Sequence, residues 1–187
     1  DGGPVAGMDR ALAAAGGTYV LFLNAGDCLS DPDVLADLAP LLARGPDLLY
    51  GDSLEDPGDG RVRRKPARHR RWAFYGMPAH HCAIFYRRAP LTGLQLDTGY
   101  RIAGDYAFTL SVLRRATRVV RTARIVARFA PGGLSRRMAA LGRHEQYLIR
   151  RRLLMMPATF AAGIYLLQIA ASSLRQLWPK GYAFWRF

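Results

Sequence analysis

Apolar positions along the first fifty residues alternate between helical and strand spacing. Residues 5–15 are Ala-rich, which is typical of a helix, and two glycines follow them as a stop. Residues 18–23 are a short apolar run rich in β-branched and aromatic types, which predicts a buried strand. A second amphipathic helix begins at Asp31-Pro32, and residues 47–50 predict a second strand. This order predicts an α/β layered domain with a largely parallel sheet.

The later pattern predicts further elements and a separate apolar tail. Residues 82–87 and 118–129 are strand-like, residues 102–114 are helical, and residues 135–152 form a basic helix. Residues 153–174 then carry no charge, and this length is sufficient to cross a bilayer. We therefore divide the chain into a domain of residues 1–152 and a membrane-associated helical tail of residues 153–187.

The composition of the tail predicts association with a membrane surface and is less typical of a transmembrane span. Polar and helix-breaking residues lower its hydrophobicity, while arginines before it and Trp178, Tyr182 and Trp185 after it resemble interfacial anchors. We leave open whether it spans the bilayer or lies on it.

The charge balance narrows the class of partner. Lys and Arg number 27 against 14 Asp and Glu, which attracts nucleic acid, anionic lipid or a phosphorylated substrate. Residues 61–71 contain seven of these Lys and Arg side chains. This segment is interpreted as a solvated loop, a lipid-facing patch or a clamp for a phosphate group, and the three alternatives stay open. Nucleic-acid binding predicts stacking aromatics interleaved with the cations, and only Trp72, Phe74 and Tyr75 come near the run. We therefore predict no nucleic-acid partner. The two cysteines are typical of a reducing, cytosolic compartment.

Three acidic residues are candidates for one cleft. Asp27 and Asp52 each follow a predicted strand, and Asp105 lies near a predicted helix start. Ligands bind beyond the carboxyl ends of parallel strands, so we expect the three carboxylates to share one edge of the sheet. A carboxylate beside small residues suits a divalent cation whose other ligands come from a diphosphate. The alternative is that Asp27 caps a turn and that Asp52 and Asp105 cap helices.

Five motifs carry a resemblance to a known family. In order they are DGGPVAGMDRALAAAGGTYVLFLNAGD, YGD, HHCAIFYRR, YRIAGDYAF and GGLS, which together cover about residues 1–145. They resemble family 2 glycosyltransferases of the GT-A fold, particularly the bacterial cell-surface polysaccharide branch. The resemblance implies a Rossmann-like layered sheet. The strand-helix-strand segment with which this family grips the nucleotide base is absent from this sequence, so we expect the chain to be the later part of a longer protein.

The resemblance implies a donor site in the turn NAGD. Asp27 matches the metal-binding carboxylate, and Asn24 and Gly26 belong to the donor site. The implied cofactor is a divalent cation, Mn or Mg. Gly26 stands where an acidic residue is common in the family, so the metal is expected to have one fewer protein ligand.

The resemblance also implies the catalytic base and the acceptor side. Asp105 matches the general base of an inverting transfer, and Asp52 and His81 are placed near the acceptor. Cys82 stands where the family usually has Gln.

The implied activity is that of a metal-dependent glycosyltransferase of hexosyltransferase type. It moves a sugar from a nucleotide-sugar to a glycan or lipid-linked acceptor, on the cytoplasmic face of the bacterial inner membrane. The alternative is an inactive membrane-associated scaffold or binding protein of the same fold, and a basic nucleic-acid-binding protein is a further one.

Overall fold

The computed structural model describes residues 2–56, 62–130 and 132–177. The helices are α1 (Gly3–Ala14), α2 (Val34–Ala43), α3 (Gly104–Arg115), α4 (Leu134–Arg137), α5 (Ala139–Leu153) and α6 (Ala158–Leu177). The strands are β1 (Tyr19–Val20), β2 (Cys28–Leu29), β3 (Leu48–Glu55), β4 (Arg63–Lys65), β5 (Ile84–Arg87) and β6 (Val119–Phe129). Short 3-10 turns occur at Arg70–Trp72, His81–Ala83 and Ala89–Leu91.

The strands form one mixed sheet. Their order is β1-β5-β3-β6-β2, and β4 pairs with β3 beside this path. Only the β3–β6 pair is parallel among the described strands, and the other pairs are antiparallel. The α/β class is therefore confirmed, but the prediction of a largely parallel sheet is wrong. The alternation of helices and strands predicts the layers of the domain correctly. It does not specify strand direction, and β5 runs antiparallel to β3.

The first predicted strand is much shorter than its apolar pattern. Only Tyr19 and Val20 pair with β5, opposite Arg87 and Tyr86. Phe22 leaves the sheet but remains buried, 5.9 Å from the Tyr86 ring and 6.2 Å from the Phe108 ring of α3. Burial against a helix accounts for the apolar character of Phe22 without strand pairing, whereas Leu23 is exposed.

The second predicted strand is longer than expected, and this corrects the position of Asp52. We placed Asp52 just beyond a strand end, but β3 continues to Glu55. A bulge interrupts its pairing with β6 around Asp52. The adjacent Gly51 passes so close to β6 that an added Cβ would lie 2.5 Å from the Arg124 carbonyl oxygen. Asp52 is therefore buried inside the sheet rather than exposed at its edge.

The second helix begins two residues later than its sequence signal. Asp33, rather than Asp31, precedes α2. The Asp31 carboxylate instead contacts the Arg124 guanidinium of β6, with an Oδ1–Nη2 distance of 2.6 Å. Hydrogen bonding to Arg124 lowers the pKa of Asp31 to about 2. A contact between distant parts of the chain thus occupies the side chain that resembled a cap.

The uncharged run near the C-terminus is two helical segments. The chain turns after Leu153, where Met155 has a φ of 50°, and α6 begins at Ala158. Within the described residues, no helix combines the length and hydropathy that a membrane span needs. Ala161 and Ile164 of α6 are buried against earlier parts of the chain, including Phe74 and Tyr75. The division at residue 152 stays a prediction. Arg61 and the proposed anchors Trp178, Tyr182 and Trp185 lie outside the described residues.

Candidate active site

Four polar side chains from three separate segments meet at one end of the sheet. Asn24 and Asp27 follow β1, and His81 begins the 3-10 turn that precedes β5. Because β1 and β5 are antiparallel, the end of β1 lies beside the start of β5, and these segments meet. Asp105 comes from the first turn of α3.

Packing of α3 on the sheet determines where Asp105 lies. The Phe108 ring is 5.2 Å from the Tyr86 ring, and the Tyr86 hydroxyl is 2.8 Å from the Thr109 hydroxyl. Both contacts hold the first half of α3 over β5. The prediction that Asp105 stands near a helix start is confirmed.

A tight turn presents Asp27. The Asp27 backbone N–H donates to the Asn24 carbonyl at 2.9 Å, and the Asn24 N–H donates to Asp27 Oδ2 at 3.3 Å. Gly26 has a φ of 92°, a conformation that favours glycine. An added Cβ there would lie 3.1 Å from the Ala130 Cβ. Gly26 thus allows both the turn and its close approach to the end of β6.

The imidazole of His81 lies between the two carboxylates. Its Nε2 is 3.7 Å from Asp27 Oδ2, and its Nδ1 is 3.8 Å from Asp105 Oδ2. Asn24 Nδ2 is 2.8 Å from His81 Nε2. With the Asn24 amide as donor, Nε2 is the acceptor, so the proton of a neutral ring is on Nδ1 and faces Asp105. The ring therefore lies between the two carboxylates that the sequence predicts for metal binding and for catalysis.

Partial burial shapes the electrostatics of Asp105, whose side chain is 26% exposed. Removal from solvent raises the pKa of Asp105, while the neighbouring His81 imidazole and the Tyr106 N–H, 2.7 Å from Oδ1, act in the opposite direction. A carboxylate with a raised pKa is a better proton acceptor near neutral pH.

Glu145 supports this site and was missed by the sequence reasoning. Its carboxylate accepts three backbone hydrogen bonds, from Arg101 at 2.8 Å, Ile102 at 2.9 Å and Ala103 at 2.8 Å. These residues immediately precede α3, so Glu145 fixes the segment that delivers Asp105. Its charge also contributes to raising the pKa of Asp105.

A sequence signal for Glu145 was present. The buried residues of α5 are Gly142, Glu145, Ile149 and Arg150, at helical spacing. Glu145 is the sole acidic residue between residues 135 and 152 and lies on the apolar face. A buried carboxylate requires hydrogen-bond donors, which indicated a structural partner.

Asp52 and Cys82 do not belong to this group of four converging side chains. Asp52 Oδ2 is 2.6 Å from Arg64 Nη2, and Asp52 Oδ1 accepts the Ala67 N–H at 2.8 Å. These contacts explain its burial, and the acceptor-side role of Asp52 stays a prediction.

Burial, reinforced by the charge of Asp27, raises the pKa of the Cys82 thiol to about 12, so this group is protonated at neutral pH.

The donor set at Asp27 fits only a cation that takes most of its ligands from elsewhere. Within the described parts of the chain, no group of three or more His, Cys, Asp or Glu side chains could hold a metal ion. Asp27 accepts hydrogen bonds of 3.3 Å from the Asn24 and Ala130 N–H groups, and its side chain is 3% exposed, so it can offer a cation no more than a single carboxylate ligand. Such a carboxylate suits Mg²⁺ or Mn²⁺ coordinated mainly by water and a diphosphate.

Comparison with known proteins shows similarity at the level of the fold. No protein-family model matches the chain, and no curated protein matches its sequence. Residues 1–349 of S. aureus TarS in complex with UDP-GlcNAc match with a TM-score of 0.64 and 19% identity, over 88% of this chain and 51% of that one.

Two further TarS structures agree. The complex of residues 1–349 with UDP has a TM-score of 0.58 and 18% identity, over 88% of this chain and 49% of TarS. Another structure of residues 1–349 has a TM-score of 0.59 and 18% identity, over 94% of this chain and 53% of TarS. The chain therefore spans about half the length of these structures and shares the fold of that part.

Proposed function

We propose that the chain is part of a glycosyltransferase that moves a sugar from a nucleotide-diphosphate sugar to a hydroxyl of a glycan or lipid-linked acceptor. The observation that carries this proposal is the meeting of Asp27, His81 and Asp105, with successive side chains 3.7 and 3.8 Å apart. The fold shared with TarS, whose crystal structures contain UDP or UDP-GlcNAc, adds support for a nucleotide-sugar donor. The family resemblance of the motifs around these residues points the same way.

Asp105 is the general base in this proposal. Its carboxylate takes the proton of the acceptor hydroxyl while that oxygen attacks the anomeric carbon of the donor. A new bond forms between carbon and the acceptor oxygen, and the bond from carbon to the diphosphate oxygen breaks. The nucleoside diphosphate leaves with the bonding electrons. A single displacement inverts the configuration of the sugar.

His81 and Glu145 position the base. The His81 Nδ1–H faces Asp105 Oδ2 across 3.8 Å, which favours the ionised carboxylate over the protonated one. Glu145 holds the backbone just before α3. Together they restrict Asp105 to one place while burial raises its pKa.

Asp27 lies on the donor side of the site. Its carboxylate would hold a divalent cation beside the diphosphate, with Ala25 and Gly26 too small to obstruct the phosphate oxygens. Such a cation, when bound, neutralises negative charge on the departing diphosphate. Asn24 braces the turn and the imidazole, through its N–H to Asp27 at 3.3 Å and its amide to His81 at 2.8 Å.

The proposed place of action is the cytoplasmic surface of a bacterial membrane. Five large apolar side chains of α6 are exposed: Phe160, Leu166, Leu167, Leu174 and Leu177. An enzyme that extends a lipid-linked glycan needs to reach the membrane surface, and an amphipathic helix is sufficient for that.

Donor binding and turnover test the proposal together. Isothermal titration of the full-length protein with UDP-GlcNAc and Mn²⁺ should show binding, and release of UDP should be measurable with an acceptor glycan. Asp27→Ala should remove the Mn²⁺-dependent part of binding. Asp105→Asn should keep binding and lose turnover. Binding without turnover in the unaltered chain, across a panel of acceptors and donors, would favour the inactive binding protein instead.

A further inference from the structure

A cationic cavity lies away from the candidate active site. It has a volume of about 510 Å³ and is lined by residues in and beside the 3-10 turn Arg70–Trp72, by residues of α3 and by Leu154, just after α5. None of the four converging site residues lines it. Arg114, at the far end of α3, is nine residues after Asp105, which places it about 14 Å along the helix axis at 1.5 Å per residue.

The rim of this cavity carries unneutralised positive charge. Arg70, Arg71 and Arg114 line it, and no Asp or Glu among the described residues does. These three arginines have no carboxylate partner in the described part of the chain, whereas Arg64, Arg87, Arg124 and Arg128 each have one. Arginine guanidinium groups match phosphate oxygens in both charge and geometry. The rim is therefore suited to a phosphate group.

The floor of the same cavity is apolar. Apart from His69, the lining residues other than the arginines are apolar, namely Ala73, Phe74, Leu110, Leu113 and Leu154. Such a floor contributes nothing to binding a bare phosphate ion, but it does favour a phosphate that carries a hydrocarbon part.

Exposed apolar side chains border the cavity. Trp72, directly after Arg71, is 48% exposed, and Met155, directly after Leu154, is 78% exposed. The Arg71 guanidinium lies 5.9 Å from the Trp72 ring centroid. Tryptophan beside arginine is typical of the interface between a bilayer and water. Further along the chain, α6 also exposes large apolar side chains.

We propose that this cavity binds the phosphate headgroup of an anionic membrane lipid, with Arg70, Arg71 and Arg114 around the phosphate. The lipid is bound at a place separate from sugar transfer, since Asp105 is at the opposite end of α3. The site serves to hold the protein on the membrane, and it is independent of the proposed chemistry.

Vesicle co-sedimentation with the full chain tests this site. Vesicles of phosphatidylcholine with phosphatidylglycerol should bind the chain, and vesicles of phosphatidylcholine alone should bind it far less. The double variant R70Q/R71Q should reduce the partition coefficient roughly thirtyfold, on the scale of one contact per basic residue at an anionic surface. The variant R70K/R71K keeps both charges and should recover most of the binding.

A matched control separates the site from overall charge. Arg44 and Arg63 are exposed and do not line the cavity, and R44Q/R63Q removes the same two charges. This control should change the partition coefficient by about threefold or less, because it acts only through the net charge. Equal losses in the two double variants would overturn the proposal, as would equal binding to neutral and anionic vesicles. Single R70Q, expected to weaken binding about fivefold, serves if the double variant melts early by circular dichroism.

Titration with inorganic phosphate tests whether the cavity binds a free phosphate ion or the phosphate headgroup of a lipid. Calorimetric titration should show no saturable binding below about millimolar phosphate, since the floor adds nothing to a bare ion. Tight phosphate binding that R70Q/R71Q abolishes, together with vesicle binding that the variant leaves unchanged, would contradict the lipid assignment.

Discussion

Removing the charge of Glu145 should both destabilise the protein and displace its candidate base. The carboxylate is buried and accepts three backbone hydrogen bonds from residues 101–103. In Glu145→Gln, one carboxylate oxygen becomes an NH₂ group that cannot accept. The Oε1 position contacts Arg101 alone and Oε2 contacts Ile102 and Ala103, so the best orientation of Gln leaves the Arg101 N–H without an acceptor.

The size of this effect follows from the hydrogen bonds. An unsatisfied buried donor costs about 1–3 kcal/mol, and the two remaining bonds lose their charge assistance. Together these changes should lower the free energy of unfolding by about 3 kcal/mol. For a domain of this size, a loss of that order lowers Tm by roughly 6–12 °C.

Urea and thermal denaturation followed by circular dichroism measure this loss. Glu55→Gln is the matched control, because Glu55 is the only other glutamate in the sequence. Glu55 is 22% exposed and contacts Lys65 at 3.6 Å and His80 at 3.5 Å, distances longer than the hydrogen bonds of Glu145, so its substitution should cost less than Glu145→Gln. Ordinary surface substitutions change the free energy of unfolding by up to about 0.5 kcal/mol. A Glu145→Gln variant whose free energy of unfolding differs from that of the unaltered protein by no more than this would refute the role of Glu145 in holding residues 101–103.

Three further predictions concern the site itself. Gly26→Ala should destabilise the protein by about 1–2 kcal/mol in urea titrations, because the φ of 92° and the Ala130 Cβ at 3.1 Å oppose a side chain; unchanged stability would contradict the strained turn. Asp27→Ala should weaken UDP binding at least tenfold in Mn²⁺ but leave the weaker binding in EDTA unchanged, and equal affinities in Mn²⁺ would count against a metal at Asp27. Because burial raises the pKa of Asp105 from 3.8, the cost of its charge is absent below pH 3.8 and complete above the raised value. Asp105→Asn should therefore gain in Tm relative to the unaltered protein as the pH rises from 4 to 8, and a gain that shrinks over this range would show the opposite shift.

The sequence predicted the contents of the site better than the sheet that carries it. Asp27 and Asp105 were singled out as small-turn and helix-start carboxylates, and the structure brings both to His81. These features depend on local turn and helix chemistry, which short motifs encode. Their roles in binding and catalysis stay predictions.

Strand direction and strand length depended on distant pairing. The run YVLFL is equally apolar throughout, yet only Tyr19 and Val20 find a partner strand. Asp52 resembled an exposed strand-end residue until Arg64 of β4 and the backbone of Ala67 enclosed it. No local pattern specifies which segment arrives beside a strand, so such errors are expected where tertiary contacts decide.

Glu145 shows the converse case. Helical spacing placed it on the buried face of α5, but its partners are backbone groups more than forty residues earlier. Backbone donors leave no trace in side-chain patterns. A buried acid in a basic helix can be recognised from sequence as important, while its function requires the fold.

The turnover of Asp105→Asn tests the central claim most directly. UDP release from UDP-GlcNAc should be measured with the full-length protein at saturating donor and acceptor, with Asp97→Asn as a control for an exposed aspartate outside the four-residue site. If Asp105 is the base, Asp105→Asn should lower kcat by roughly 10²–10⁴-fold while the Kd for UDP-GlcNAc changes less than about threefold. The control should retain full turnover. An Asp105→Asn protein that turns over at the rate of the unaltered chain would contradict the account.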